Sequence, residues 1–290
     1  MAAPVPQLLT GATVRQLAQE LDLHPSKGRG QNFVVDPNTI RRLVRLAQLH
    51  PGQTVLEVGP GLGSLTLGLL GEAERVIAVE IDDRLAHRLP RTVAEFGGDP
   101  RRLEVIHADA LSIGAADLGD IAPSALVANL PYNVAVPILL HLLVELPMLR
   151  SGLVMVQQEV AKRLVAEPGD KLYGIPSVKL RWFAQASYAG DVPSSVFWPA
   201  PRVMSGLVQF DAHPAPTTVV REWFFTVVDV AFGQRRKMLR ASLRELPGLD
   251  QQQVGRALDR AGLAGTSRPE QLSFDGWVAL CAALSAASER

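Results

Sequence analysis

The sequence predicts an α/β domain with a mostly parallel sheet, followed by a small all-helical domain. Three observations predict it. Short runs rich in Val, Ile, Leu and Ala alternate with helical segments between residues 54 and 157. The first of these runs passes directly into Gly59-Pro60-Gly61-Leu62-Gly63, a tight connection between strand and helix. After Pro214 and Pro216 the strand pattern stops and only helical periodicity remains.

The elements follow in order. Residues 1–26 form an N-terminal extension with a short helix over Thr13–Leu21. Lys27 to Phe33 is a basic, Gly-rich loop. Asp36-Pro37-Asn38 caps a helix that runs to about Leu49, where His50-Pro51-Gly52 stops it. Strands are expected at Thr54–Val58, Arg75–Glu80, Leu103–His107, Ser124–Asn129 and Gly152–Gln157, and a last one at Ser205–Phe210. Helices are expected at Ser64–Leu70, Asp83–Glu95 and Val136–Leu146. The domain therefore spans 27–214, and 215–290 forms the helical domain, with helices over 220–245, 251–262 and 273–287.

The 290 residues carry 29 basic and 29 acidic side chains. The neutral total argues against a protein that coats nucleic acid with a uniformly basic surface. It hides an uneven distribution. Residues 51–130 hold 12 acids against 6 bases, and residues 1–50 hold 6 bases against 3 acids. An acidic centre with basic flanks suits one cationic and one anionic ligand. The single cysteine, Cys281, excludes an internal disulfide and a multi-cysteine metal site; no metal is expected. The apolar run Val134–Leu149 is interrupted by Pro137, His141, Glu145 and Pro147 and is too short for a membrane span. The chain reads as a soluble cytoplasmic protein without a membrane partner.

The glycine spacing selects the cofactor class. Glycines at 59, 61 and 63 let a ligand approach the backbone at the carboxyl end of a strand. A dinucleotide fingerprint would need Gly or Ala where Ser64 stands, and no Walker-type Lys follows. Glu80 ends the next strand, where a carboxylate can accept both hydroxyls of a ribose. Asp109 follows the third strand and can accept an exocyclic adenine amine. A plain strand–helix connector would also use glycines, but it would not need these two carboxylates. Together they fit an adenosine without a diphosphate, and the chain resembles the Rossmann-like class I S-adenosylmethionine-dependent methyltransferases. The resemblance implies S-adenosyl-L-methionine, a cationic sulfonium that suits an acidic segment.

Asn129-Leu130-Pro131-Tyr132 follows the fourth strand. Asn and Pro are common turn residues, but here the motif resembles the (Asp/Asn)-Pro-Pro-Tyr of methyltransferases that act on exocyclic amines. An adenine N6 lone pair is delocalised into the ring. Acceptors on its N–H groups return electron density to nitrogen and fix its angle. The Asn129 side-chain carbonyl and the Leu130 backbone carbonyl can serve, with Pro131 holding the turn. Tyr132 would stack on the base, and Phe197, on the Pro-rich loop Phe197–Ser205, would cover its other face. The base must be unstacked or flipped to reach them.

Further segments narrow the resemblance. Gly30-Gln31-Asn32-Phe33-Val34-Val35-Asp36, Gln157–Leu164, Lys171-Leu172-Tyr173-Gly174, Phe197–Ser205 and Phe232–Leu239 resemble matching stretches of the ribosomal RNA adenine dimethyltransferases, over about residues 27–285. Val34 stands where that family usually has Leu. The likeness is greatest to the small-subunit members. It implies dimethylation of the N6 amines of two adjacent adenosines in the 3′-terminal hairpin of 16S rRNA, within the 30S subunit or its precursor, by a monomer. It also implies cofactor contacts from Asn32, Val34, Gly59, Gly61, Glu80, Asp109 and Asn129. The stretch 233–244 holds five positive charges and no acid, and Arg235, Arg236, Lys237 and Arg240 are expected to contact RNA phosphates. On a continuous helix Arg236, Arg240 and Arg244 would share one face. Two other functions stay open: a 23S rRNA adenine methyltransferase of the antibiotic-resistance type, and a non-catalytic ribosome assembly factor.

Overall fold

The computed structural model describes residues 5–24 and 32–288. Most of the basic loop Lys27–Phe33 therefore lies outside the described residues. The chain divides into two compact units, residues 1–161 with 187–212 and residues 162–186 with 213–290.

The first unit opens with helix α1 (Gly11–Glu20), which the Thr10 side chain caps. Strand β1 (Phe33–Val34) precedes α2 (Pro37–Leu46). Asp36 accepts the Thr39 backbone N–H at 2.8 Å and its hydroxyl at 2.6 Å, so the cap is anchored twice. The Thr39 hydroxyl bond holds the Asp36 carboxyl below its ordinary value; burial opposes it, and the Thr39 and Asn38 N–H groups and Arg41 add to the lowering. Strands and helices then alternate as β2 (Thr54–Val58), α3 (Ser64–Leu70), β3 (Arg75–Glu80), α4 (Asp83–Glu95), β4 (Leu103–His107), β5 (Ala125–Asn129), α5 (Ala135–Glu145), β6 (Ser151–Gln157) and α6 (Gln158–Leu164). Strands β7 (Ala184–Val192), β8 (Phe197–Trp198) and β9 (Ser205–Ala212) follow α7 (Ile175–Arg181).

Among the described residues, seven strands form one sheet in the order β4-β3-β2-β5-β6-β9-β7, and β1 pairs with β8 in a separate two-stranded ribbon. The pairs from β4 to β6 are parallel and β9 joins β6 antiparallel. Chain order reverses between β2 and β5. Two consecutive crossovers leave in opposite directions there and open a crevice at the carboxyl ends of the strands. The parallel strands are near-continuous apolar runs because helices cover both faces. At Gly152 an added Cβ would lie 2.4 Å from the Phe210 ring and 2.6 Å from the Leu126 carbonyl. Glycine is thus what lets β9 approach β6.

The N-terminal extension is part of this core rather than an appendage. Leu9, Val14, Leu17 and Ala18 are buried with the strands and helices of the first unit.

The second unit contains α8 (Arg221–Gly233), α9 (Leu239–Ser242), α10 (Gln251–Arg260) and α11 (Phe274–Ser288). It also takes in residues 162–186, so the chain passes between units at more places than the single break expected near residue 214. The cause is aromatic packing. Tyr173 and Trp182 are buried with Phe224, Phe232 and Trp277. The Trp182 and Phe224 rings lie 4.6 Å apart, and Phe232 stacks on Trp277 at 5.7 Å. Cys281 is fully buried in this core, and burial pushes its thiol pKa up.

The continuous helix expected over 220–245 is broken, which corrects the sequence reading. The buried stripe of α8, Phe224, Val227, Val228, Ala231 and Phe232, would reach Arg235 one turn later. A helix that continued would drive this guanidinium into the apolar core. The chain instead stops at Gly233, turns through residues 234–237, and re-enters the core with Leu239. Arg236, Arg240 and Arg244 consequently do not share a helix face.

Candidate active site

A cavity of about 740 Å³ lies in the first unit at the carboxyl ends of β2, β3 and β5. Its wall includes Asn32, Gly59, Gly61, Glu80, Asp109, Asn129 and Pro131, all of them singled out from sequence. Local sequence explains the loop. Gly59, Gly61 and Gly63 have φ of +66°, +57° and +95°, a region costly for side-chain-bearing residues. A Cβ on Gly61 would also lie 2.7 Å from the Phe33 ring. The odd spacing read from sequence is therefore a run of left-handed positions.

Glu80 is buried at the end of β3. Its Oε2 accepts the Gly61 N–H at 3.1 Å and its Oε1 accepts the Asp82 N–H at 2.9 Å. Burial raises its pKa and the two N–H donors oppose the rise. Each oxygen retains a lone pair, so the carboxylate can still accept two hydroxyls. Asp109 is exposed, and its Oδ1 accepts the Leu111 N–H at 2.9 Å.

Asn129 ends β5. Its Nδ2 donates to the Asn32 carbonyl at 3.0 Å, which fixes the amide. Its Oδ1 is buried and has no hydrogen-bond partner. A buried carbonyl without a donor costs about 1–3 kcal/mol, and such atoms are rare enough in folded proteins to need a reason. An acceptor held ready for an incoming N–H is such a reason.

The remaining expected residues are placed differently. Leu130 is buried and donates its N–H to the Met155 carbonyl at 3.0 Å, and Pro131 lines the cavity. Tyr132 is half-buried, and its hydroxyl hydrogen-bonds Ser205 at the start of β9. Val34 and Phe197 face each other in the β1–β8 ribbon. Both are buried in the core, Phe197 at 4% exposure, so the Phe197 ring is not presented to a base in this structure. In the second unit Arg236, Lys237 and Arg240 are exposed as expected. Arg235 is exposed too, but it donates to the Lys171 carbonyl at 2.7 Å.

Sequence reasoning missed the role of Glu57. It is 1% exposed near the carboxyl end of β2 and accepts the Thr66 hydroxyl at 2.6 Å. Burial pushes its pKa up to about 8, the Thr66 bond opposes this, and the nearby Glu80 charge adds to it. Its one legible signal was an acid inside an otherwise apolar strand. The folded chain holds this proton more tightly than the unfolded chain, whose value is near 4.5. Stability is therefore greatest below that value and falls as pH rises towards about 8, by up to about 1.4 kcal/mol per pH unit. Glu57→Gln should flatten the slope. Urea unfolding of both proteins at several pH values checks this, and parallel profiles would rule it out.

Acids dominate the cavity wall, and Arg84 is the one basic residue among its described members. The donors and acceptors available thus fit a cationic adenosine derivative. No described group of His, Cys, Asp and Glu could hold a metal ion. Fold and site together define a class I methyltransferase of the S-adenosylmethionine-dependent type. The profile of the family described as ribosomal RNA adenine dimethylase matches residues 26–281. A ribosomal RNA small subunit methyltransferase A from Kineococcus radiotolerans is 55% identical over 276 residues, which cover 95% of this chain and 91% of the relative. The protein of the same name from Thermobifida fusca is 55% identical over 270 residues, 92% of this chain and 93% of that one. Among solved structures, the 23S rRNA methyltransferase ErmE superposes with a TM-score of 0.65 at 28% identity, covering 88% of this chain and 100% of its own. A dimethyladenosine transferase from Plasmodium falciparum reaches a TM-score of 0.73 at 22% identity over 84% of this chain and 94% of its own, and supports the fold. The chain belongs to the ribosomal RNA adenine dimethylase family and is an enzyme of the methyltransferase class.

Proposed function

We propose that this protein dimethylates the N6 amines of two adjacent adenosines in the 3′-terminal hairpin of 16S rRNA, in the 30S subunit or its precursor. The donor is S-adenosyl-L-methionine, and the protein acts in the cytoplasm as a monomer with a part in small-subunit biogenesis. The observation that carries the reading is the unpartnered Asn129 Oδ1 beside a cavity walled by Glu80 and Asp109. Support for the small-subunit substrate comes from the relatives at 55% identity. Among the described residues no helix is long and apolar enough to cross a membrane.

Glu80 would hold the ribose, Asp109 the adenine amine, and the Gly59–Gly63 backbone the groups between them. Asn32 and Val34, from the segment before α2, belong to the same cofactor set by family resemblance. The bound cofactor supplies an electrophilic methyl on a positively charged sulfur. Asn129 Oδ1 accepts one N6–H and aligns the nitrogen lone pair, with the Leu130 carbonyl as the second acceptor. A once-methylated N6 keeps a single N–H, so in the second round one acceptor must hold the amine alone. Pro131 stiffens the turn, Tyr132 packs against the base, and the Phe197 loop must move before its ring can do so.

Methyl transfer to undermethylated 30S subunits, followed by mass-spectrometric mapping of the modified nucleotides, tests the reading. Four methyl groups on two adjacent adenosines near the 3′ end of 16S rRNA are expected. Modification of 23S rRNA instead, or none, would overturn it. The exposed Arg236, Lys237 and Arg240 are assigned to phosphate contacts. RNA binding should weaken as salt rises, and Arg236→Ala should reduce that slope by about one. Filter-binding titrations at several salt concentrations measure it. Cofactor affinity should show no such slope.

A further inference from the structure

The first 24 residues precede the stretch that the family profile matches, and none of the described ones lines the cavity. Their attachment is nevertheless specific. Beyond the buried face of α1, the Gln7 N–H donates to the Phe96 carbonyl, just past α4, at 2.8 Å. At the end of α1, Asp22 adopts a φ of +48°. Its N–H donates to the Gln19 carbonyl at 3.1 Å, and the Leu23 N–H donates to the Ala18 carbonyl at 2.8 Å. This two-bond helix stop usually takes glycine at the left-handed position. Asp22 adopts it at a steric cost, and the Leu21 and Asp22 carbonyls face Arg84.

Arg84 Nη1 donates to these carbonyls at 3.5 and 3.3 Å. From the other side Asp82 holds the same guanidinium, with Nε 3.5 Å from Oδ1 and Nη2 3.5 Å from Oδ2. Asp82 in turn gives its backbone N–H to Glu80. A parallel tie runs from Glu20 at the end of α1 to Arg88 on α4, at 3.7 Å. A guanidinium among four wall carboxylates, Glu80, Asp82, Asp83 and Asp109, would compete with a cationic ligand for them. The negative end of the α1 dipole offers it another partner.

We propose that the N-terminal helix braces the cofactor wall: it draws Arg84 back from Glu80 and, through Asp82, fixes the Glu80 carboxylate. Arg84 and α1 are then positioning elements for cofactor binding. The inference rests on the cavity being the S-adenosylmethionine site.

The test uses the full chain carrying Leu17→Ala, Arg84→Ala, Arg84→Lys and the Leu17/Arg84 double substitution to alanine. Affinity for S-adenosylmethionine and S-adenosylhomocysteine is read by calorimetry, and amide hydrogen exchange at Gly61 and Asp82 is read in the ligand-free protein. Leu17→Ala lies outside the cavity and is expected to weaken binding by about threefold to fivefold and to speed exchange at Asp82. In the Arg84→Ala background Leu17→Ala should add nothing to either readout, and Arg84→Lys should lie between Arg84→Ala and wild type. Glu20→Gln, an exposed change, serves in place of Leu17→Ala if the latter does not fold. Loss of thermal stability with unchanged affinity and exchange, or effects that simply add, would overturn the brace. Wild-type protein that binds neither ligand would instead refute the cofactor reading, and the ligand-free exchange would still judge the brace.

Discussion

Asn129→Ala is expected to lower kcat for methyl transfer by about 100-fold or more, by analogy with the loss of one preorganised group at a reacting centre. Stability should change little. The substitution removes one bond to the Asn32 carbonyl, but it also removes a buried oxygen that has no partner in the ligand-free protein. The two effects are of similar size and opposite sign. A collapse in rate without a fall in melting temperature is what a residue kept for catalysis at the expense of stability should show. Single-turnover methylation of undermethylated 30S subunits, beside thermal unfolding, gives both numbers. A variant with near wild-type turnover would refute the role given to Asn129.

Glu80→Ala is expected to weaken cofactor binding by about 100-fold, since two hydrogen bonds to a charged acceptor contribute about 1.5–3 kcal/mol each and are partly replaced by water. Glu80→Gln should fall between, because the amide fills the space but turns a donor towards the Gly61 or Asp82 N–H. The wild-type protein should also bind more weakly as pH falls. Burial has raised the pKa of Glu80, so its protonation begins at a higher pH than that of an exposed glutamate, and a proton there removes both charge and acceptor. The Gln variant should lack this dependence. Calorimetry across pH distinguishes the two, and equal pH profiles would remove Glu80 from the site.

The strands and helices of the cofactor half were legible because each sequence signal is local. β2, α3, β3, α4 and β4 begin and end where the sequence places them, at glycines, at Asp82 or at the edges of short apolar runs. β7 was not foreseen. Its Ala-Gln-Ala-Ser-Tyr-Ala-Gly-Asp-Val has weak alternation, and pairing with its one sheet neighbour, β9, supplies what its own pattern lacks. The break after Gly233 was also hidden. The charges that suggested a basic helix are the charges that cannot follow α8 into its core. At the site, the placement of Asn129 and Glu80 at strand ends beside the cavity could be read from the sequence. The orphaned Oδ1, the raised pKa of Glu57 and the burial of Phe197 could not, because each depends on residues distant in sequence.

Cys281, the single thiol of the chain, gives the second unit a reporter of its own opening. With the sulfur sealed in the helical core and its ionisation disfavoured, an alkylating reagent reacts only with molecules in which that core has separated. The labelling rate therefore measures the free energy of this local opening without any engineered probe. It also leaves the rest of the surface free of background, so one cysteine placed near α8 would carry a fluorophore for following RNA docking.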